Sequence, residues 1–380
     1  MKKLQEVTVF TNGDSGKIKT WSNVPFFFTE TLISKGIKVN RVNLESPYAF
    51  ETLSYKILDR VIKLINKRTT YSFYRSNANF LKVRNRIKTA VRQYPHSEAD
   101  IFLTFSFSSV GLTDKPVIQF CDWTYHHYFQ YFAGRKPDDF ETACIEREDS
   151  QIMGSDLIIP LFPGVADYMI NRYKGKNISY LGNVINSLFN ATEEDMSAKM
   201  NSNSLLFIGS KKYMEGALSL IEAFKQLKQQ YPKLELHIIG IETTGFRNLP
   251  KDVFCYGYLD KGKDADRELY YKLLKEAKIF INTTPKWSSF SASIEAMYFY
   301  IPVIITPYDD FLKTFGDEIN FGLYCEENSQ VLIEKKITEI LTSPSYQQLC
   351  LNAHAAVKEF TWDTYMDKVI TKIEEVIAQR

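Results

Sequence analysis

The sequence has no run of about 18 uninterrupted apolar residues, so no segment of it is fit to cross a bilayer as a helix. Cysteine is scarce: Cys121, Cys144, Cys255, Cys325 and Cys350 are odd in number and stand at no metal-ligand spacing. That excludes a disulfide framework and a zinc ribbon and leaves structural, reduced thiols. Low-complexity tracts and short internal repeats are missing too, which removes fibrous and solenoid architectures. The segment Asn12-Gly13-Asp14-Ser15-Gly16-Lys17 has glycine and lysine after an apolar stretch but lacks the Gly-x-x-x-x-Gly-Lys-Ser/Thr spacing, so it is no P-loop. The opening Met-Lys-Lys-Leu-Gln-Glu-Val-Thr-Val-Phe sets a glutamate inside a strand pattern, where a signal peptide needs an unbroken apolar core. A cytoplasmic protein is the expectation.

What is present is a chain of 380 residues, 44% apolar and 24% charged, with a net charge of +2. That length exceeds one core and points to two domains of about 180 residues each. In the first half apolar strands alternate with helical stretches: Glu6 to Phe10, Pro25 to Lys35, Lys38 to Leu44, Asp100 to Phe105, Val117 to Phe120 and Asp156 to Pro160. From Asn186 to Ser204 the chain turns polar and reads as a linker. The alternation then restarts with a strand at Leu205 to Gly209, a helix at Gly216 to Tyr231, strands at Leu234 to Gly240 and Val253 to Tyr256, and a helix at Arg267 to Ala277. Strand-helix alternation of this kind predicts an α/β protein with parallel sheets covered on both faces.

Acidic residues are nearly absent between Lys56 and Arg92, where Asp59 alone opposes Lys56, Arg60, Lys63, Lys67, Arg68, Arg75, Lys82, Arg84, Arg86, Lys88 and Arg92. Leu53, Ile57, Val61, Leu64 and Ile65 recur at helical spacing through the first part, followed by Tyr71, Phe73, Tyr74 and Phe80. The segment therefore reads either as two solvated helices on a core or as a surface for anionic membrane. No zinc-finger spacing or aromatic RNA-reading motif accompanies the charge, so nucleic acid is set aside as a partner.

The densest motif runs from Lys278 to Thr306: an apolar strand ending at Asn282, a serine-rich loop, a helix carrying Glu295, and a second strand at Val303 to Thr306. Such a unit presents a polar loop and a helix N-terminus at the carboxyl edge of a parallel sheet, where orphan N–H groups favour phosphate oxygens. It resembles the donor-site signature of GT-B glycosyltransferases of the retaining family 4. Phe207-Ile-Gly209 with Gly216-Ala-Leu-Ser-Leu-Ile-Glu-Ala-Phe224, His237-Ile-Ile-Gly240, Leu269 to Ala277, and Phe360-Thr-Trp362-Asp363 resemble further parts of that family.

The resemblance implies two Rossmann-like domains facing an interdomain cleft. Residues 1–186 would bind the acceptor, residues 187–359 would bind a nucleotide-sugar, and residues 360–380 would cross back to the first domain. It implies a nucleotide ribose held by Glu295, with Gly209, Ser210, Lys286, Ser289, Phe290 and Ser291 contacting the donor and Gly13 and Gly16 offering backbone N–H groups to it. His126, in Asp122-Trp-Thr-Tyr-His126-His127 after a strand, is placed to meet an acceptor hydroxyl or the transferring sugar.

The departures from the family pattern are specific. The family's first glutamate falls at Trp287 or Ser288, and its phosphate-binding arginine and lysine fall at Ser210 and Glu215. Lys211 and Lys212 stand between those positions and are expected to neutralise the leaving diphosphate without a metal. Asp264-Ala-Asp266 has a metal-pair spacing but precedes a helix from a polar loop, so it reads as solvent-exposed and no cofactor is expected. The resemblance thus implies a metal-independent, retaining hexosyltransferase. It would act on a glycan or lipid-linked acceptor in cell-surface polysaccharide synthesis, peripheral at the inner membrane face through residues 56–92. A glycosyltransferase-like subunit that has lost donor chemistry is the alternative from a different class, and a sugar-nucleotide epimerase is a third.

Overall fold

Strands buried on both faces need near-continuous apolar runs rather than alternation, because helices cover each side of a parallel sheet. Leu157-Ile-Ile-Pro160 and Leu205-Leu-Phe207 are runs of that kind, buried along their whole length. The computed structural model describes residues 3–45, 49–246, 248–284 and 290–380. The chain forms two compact units, one of residues 1–183 with 362–380 and one of residues 184–361.

In the first unit the order is β1 (Glu6–Thr11), α1 (Val24–Ser34), β2 (Lys38–Asn43), α2 (Ala49–Ile65), α3 (Asn77–Gln93), β3 (Ala99–Phe102), β4 (Val117–Cys121), α4 (Tyr125–Tyr131), α5 (Asp139–Gly154), β5 (Leu157–Pro160) and α6 (Pro163–Arg172). The sheet runs β2-β1-β3-β4-β5, all parallel, with Val7 beside both Val39 and Ala99. Phe10 and Phe102 stack at 4.3 Å in the core beneath α3, whose Val83, Ile87 and Ala90 face inward. The chain leaves β1 to one side for β2 and returns to the other side for β3. The loops after β1 and β3 therefore diverge at the carboxyl edge, which is the place where open α/β sheets bind ligands.

The second unit contains α7 (Glu193–Met200), β6 (Ser204–Ile208), α8 (Met214–Gln230), β7 (Glu235–Ile239), β8 (Val253–Cys255), α9 (Asp264–Glu276), β9 (Ala277–Asn282), α10 (Ser291–Tyr298), β10 (Val303–Ile305), α11 (Asp309–Phe315), β11 (Gly322–Tyr324), α12 (Gln330–Leu341) and α13 (Tyr346–Val357). Its sheet is β11-β10-β9-β6-β7-β8, again parallel, so its own switch point lies between β6 and β9. The final helix, α14 (Trp362–Ala378), belongs to the first unit, where Lys35 bridges Asp363 (2.8 Å) and Asp367 (2.6 Å) and Trp362 stacks on Phe27.

Two local readings need correction. The polar stretch 186–204 is not all linker: Thr192 and Asp195 form a capping box that starts α7, and Lys199 on that helix is buried with its ammonium on the Leu274 and Lys275 carbonyls. Asp264 and Asp266 lie in the first turn of α9 rather than in a loop. There Asp264, its side chain 84% exposed as expected, meets Arg267, while Asp266 is half-buried and accepts the Asp260 N–H.

Candidate functional site

In the second unit, β6 delivers Gly209, whose N–H donates to the Ile239 carbonyl at 2.9 Å. Gly240 approaches so closely that a Cβ there would meet the Gly209 carbonyl, and its φ of +96° is one that glycine tolerates. The chain then turns outward through Ser210, Lys211 and Lys212, all exposed, before α8 begins. Glu215, at the position of the expected lysine, is exposed in the first turn of α8, where the helix dipole favours it. One residue on, Gly216 packs against Thr284: a Cβ on Gly216 would collide with Thr284 Oγ1. The loop after β6 and the loop after β9 thus start side by side at the switch point, with Lys211 and Lys212 on the rim.

After β9, Thr283 Oγ1 donates to Asn328 Oδ1 at 2.7 Å, and the buried Thr284 hydroxyl has no hydrogen-bond partner among the described residues. Lys286 and Ser289 lie outside the described residues. Phe290, expected at the donor, is instead 2% exposed and packs on Tyr308, Phe311 and Phe315, because an aromatic at the entrance to α10 finds that apolar cluster behind it. Ser291 opens α10 and is exposed.

Glu295 has a different occupation from the expected ribose contact. Its side chain points inward, 4% exposed, and both oxygens accept from Lys261 Nζ (2.7 and 3.0 Å). Tyr270 adds a hydroxyl donor to Oε2 at 2.8 Å and Tyr271 a longer one to Oε1 at 3.4 Å. Lys261 also donates to the Asn186 carbonyl at 3.0 Å. A ribose could reach this carboxylate only after the ion pair opened. The pairing has a simple cause: Lys261 on the loop before α9 is buried beside Glu295, and a buried ammonium and carboxylate each need a partner of opposite charge. Burial, followed by the adjacent Glu295 charge, pushes both tyrosine hydroxyls far up, so they remain donors. Nothing in Asp260-Lys261-Gly262 marks the lysine as buried, since a charge in a glycine turn reads as solvated. Tyr270 and Tyr271 were legible only as part of a helical apolar face.

In the first unit, the loop after β1 does not offer the two expected amides. The Gly13 N–H donates to Asn43 Oδ1 at 3.0 Å and the Gly16 N–H to Asp14 Oδ1 at 2.9 Å, because Asn and Asp side chains close such turns internally. His126, on α4, is half-buried with Nδ1 2.5 Å from the Tyr168 hydroxyl; burial, and then the Arg172 charge, hold it below the usual histidine range. It is therefore neutral at pH 7 and able to exchange a hydrogen bond. Its neighbour His127 is buried against Tyr131 and Tyr168, and burial lowers it to about 4.

Residues 190–357 match the family model described as glycosyl transferases group 1. The whole chain is similar to a sucrose-phosphate synthase from Thermosynechococcus elongatus, with a TM-score of 0.71 at 14% identity over 99% of this chain and 100% of that one. It is also similar to Anabaena HepE in complex with UDP and glucose, with a TM-score of 0.61 at 13% identity over 97% and 99% of the two chains. A UDP-forming α,α-trehalose-phosphate synthase from Burkholderia vietnamiensis gives 0.62 at 8% identity over 100% and 98%. No curated protein matches the chain significantly. At such identities the structural likeness speaks for the fold.

Proposed function

From a chain of GT-B fold whose residues 190–357 are a group 1 glycosyltransferase domain, we propose that the enzyme is a retaining hexosyltransferase of family 4 type. The second unit takes a nucleotide-sugar donor and the first unit a glycan or lipid-linked acceptor. The observation that carries this reading is the β6/β9 switch point, where the exposed cations Lys211 and Lys212 stand beside the start of the loop after β9. Glycosyl departure leaves a diphosphate whose charge must be neutralised, and two fixed ammonium groups supply this without a metal. Glu295 is then a buried tie between α10 and the loop before α9, and His126 a neutral hydrogen-bonding group toward the acceptor.

UDP leads the candidates, because HepE was solved with it. Thermal shift against nucleoside diphosphates and nucleotide-sugars tests the reading, since a ligand of the native state raises its stability by mass action. The anomeric configuration of the product tests retention. A Lys211→Ala, Lys212→Ala variant should lose turnover about 100-fold or more while its unfolding midpoint stays put, in line with losing electrostatic stabilisation of a leaving group. Wild-type turnover in that variant would sink the cation assignment. A donor-free binding subunit is the second reading, favoured by the closed Glu295 pair and the exposed Glu215; no shift with any nucleotide would select it.

The membrane part of the reading rests on α2. Leu53, Ile57, Val61, Leu64 and Ile65 are 57%, 54%, 47%, 76% and 83% exposed, and Lys56, Arg60, Lys63, Lys67 and Arg68 are exposed around them. A greasy stripe flanked by cations suits the inner, anionic leaflet, each cation adding about 1 kcal/mol near the surface. A role in cell-surface polysaccharide synthesis follows if the acceptor is borne on that leaflet.

A further inference from the structure

Strands β4 and β5 are paired neighbours, so the helices that follow them begin side by side at the carboxyl edge of the first sheet. That brings His126, on the first turn of α4, to Tyr168 of α6, 42 positions later. Tyr168 is 8% exposed and packs among Ile158, Val165 and Met169, so the core rather than the histidine sets where its hydroxyl stands. Its ring lies nearly parallel to that of His126 (5.9 Å, 19°) and edge-on to that of His127 (4.9 Å).

The direction of the bond between them follows from where each proton can go. A neutral imidazole has one N–H and one bare nitrogen, and the hydrogen bond made at one nitrogen decides which is which. The Tyr168 oxygen is bonded by two groups, His126 Nδ1 and the Thr124 hydroxyl. Thr124 is 1% exposed and caps α4 by accepting the His127 N–H at 3.0 Å; its own proton finds no other acceptor among the described residues. A buried hydroxyl proton without an acceptor is disfavoured, so Thr124 donates to Tyr168. The Tyr168 proton then goes to Nδ1. The opposite order, from an Nδ1–H through Tyr168 to Thr124, would strand the Thr124 proton. Nε2 is left with the N–H of the ring and has no hydrogen-bond partner among the described residues.

We propose that Tyr168 is a positioning residue: its phenol, itself held by Thr124, fixes His126 as the neutral Nε2–H tautomer, so that this histidine presents a hydrogen-bond donor and not a base. Its use on a sugar rests on the glycosyltransferase reading above, but the tautomer does not. An N–H at this place serves the lone pair of a sugar hydroxyl or ring oxygen. It cannot take the proton of an attacking hydroxyl, so activating the acceptor is not the task of His126.

The test is long-range proton–nitrogen NMR on the full-length protein carrying labelled histidine, which has only five such rings. The His126 signals are assigned by their loss in His126→Gln. In wild type Nε2 should show the shift of a protonated ring nitrogen and Nδ1 that of a bare one. Tyr168→Phe keeps the ring stack and removes the hydroxyl, and should move both signals toward the average of two exchanging tautomers. Thr124→Val should do the same in part, whereas Thr124→Ser, which keeps the hydroxyl, should hold the wild-type pattern. A protonated Nδ1 in wild type overturns the assignment, and so does a Tyr168→Phe protein whose His126 signals stay where they were. With a nucleotide-sugar that the protein turns over, Tyr168→Phe should lower kcat about tenfold, and His126→Gln, whose amide can still donate, should keep more activity than His126→Ala. The expected tautomer in a protein blind to every nucleotide would leave the Tyr168 role standing and overturn the enzymatic reading instead.

Discussion

Glu295 and Lys261 are 34 positions apart in sequence and share a buried hydrogen-bonded ion pair, so removing either leaves the other as an uncompensated buried charge. Glu295→Ala should cost about 3–5 kcal/mol in urea denaturation, and Lys261→Met a similar amount, while Lys261→Met with Glu295→Leu should recover much of the loss. A Glu295→Ala protein of wild-type stability that bound UDP weakly would restore the ribose role. Two other carboxylates set opposite pH dependences. Glu148 is raised to about 7, so the folded state holds a proton that the unfolded state has released, and stability falls as pH rises from about 4.5 to 7. The expected size is about 3 kcal/mol. Glu148→Gln should remove that slope, which a series of urea melts across this range would show. Glu141 has the reverse sign. Its burial is outweighed by a bidentate Arg135 (2.7 Å to each oxygen) and by the Asp138 and Thr70 N–H groups, which lower it to about 2. Its contribution is present above about pH 4.5 and lost as pH falls toward 2, and Glu141→Gln should flatten the acid limb of the same curve.

Elements divide by how much of their surface the fold consumes. The basic segment 56–92 splits between two helices: α3 buries Val83, Ile87 and Ala90 against the sheet, as a solvated helix on a core does, whereas α2 keeps its apolar stripe outside. Leu64→Ser with Ile65→Ser should change stability by less than about 0.5 kcal/mol, because neither side chain is buried. The same pair should abolish co-sedimentation with anionic vesicles at low salt, and wild-type binding should weaken as the Debye length shrinks below about 8 Å. Vesicle binding indifferent to lipid charge would return α2 to a plain solvated helix. At the start of α8 the constraint is steric. Gly216→Ala forces α8 and the loop after β9 apart and should cost about 1–3 kcal/mol as overpacking, despite alanine's better helix propensity.

At the scale of the whole molecule, the chain ends by returning to where it began. Tyr365, Met366, Val369 and Ile373 of α14 are buried in the first unit, and Arg380 reaches Asp156 at 2.7 Å. Truncation after Thr361 should therefore expose the faces of α1 and β5 that α14 covers. Amide exchange should show protection lost across residues 3–183 and largely kept across 184–361. Uniform loss in both units would mean that the second unit does not hold its own core.

The parallel α/β class was legible residue by residue, because strands covered on both faces must be apolar throughout. The reading places strands at Glu6 to Phe10, Val117 to Phe120, Leu205 to Gly209 and Val303 to Thr306, each within a residue or so of what forms. The GT-B pattern was legible in the run from Asn282 to Thr306 for the same reason: strand, loop, helix and strand follow one another locally. The capping box that starts α7 was also in the sequence, yet the polar composition around it hid the helix. What sequence could not carry is direction and partnership. Whether Lys261 points at solvent or at Glu295, whether Phe290 meets a ligand or Phe311, and whether the Gly13 amide is free or spent on Asn43 depend on residues 21 to 34 positions away. Arg75, Arg147 and Glu148 meet only because the segment before α3 packs against α5, about 70 positions later in the chain. Sequence by itself determined the layers and their order; the tertiary structure decided which charges are buried, paired or left exposed, because those outcomes follow from desolvation and packing among segments that the chain brings together only on folding.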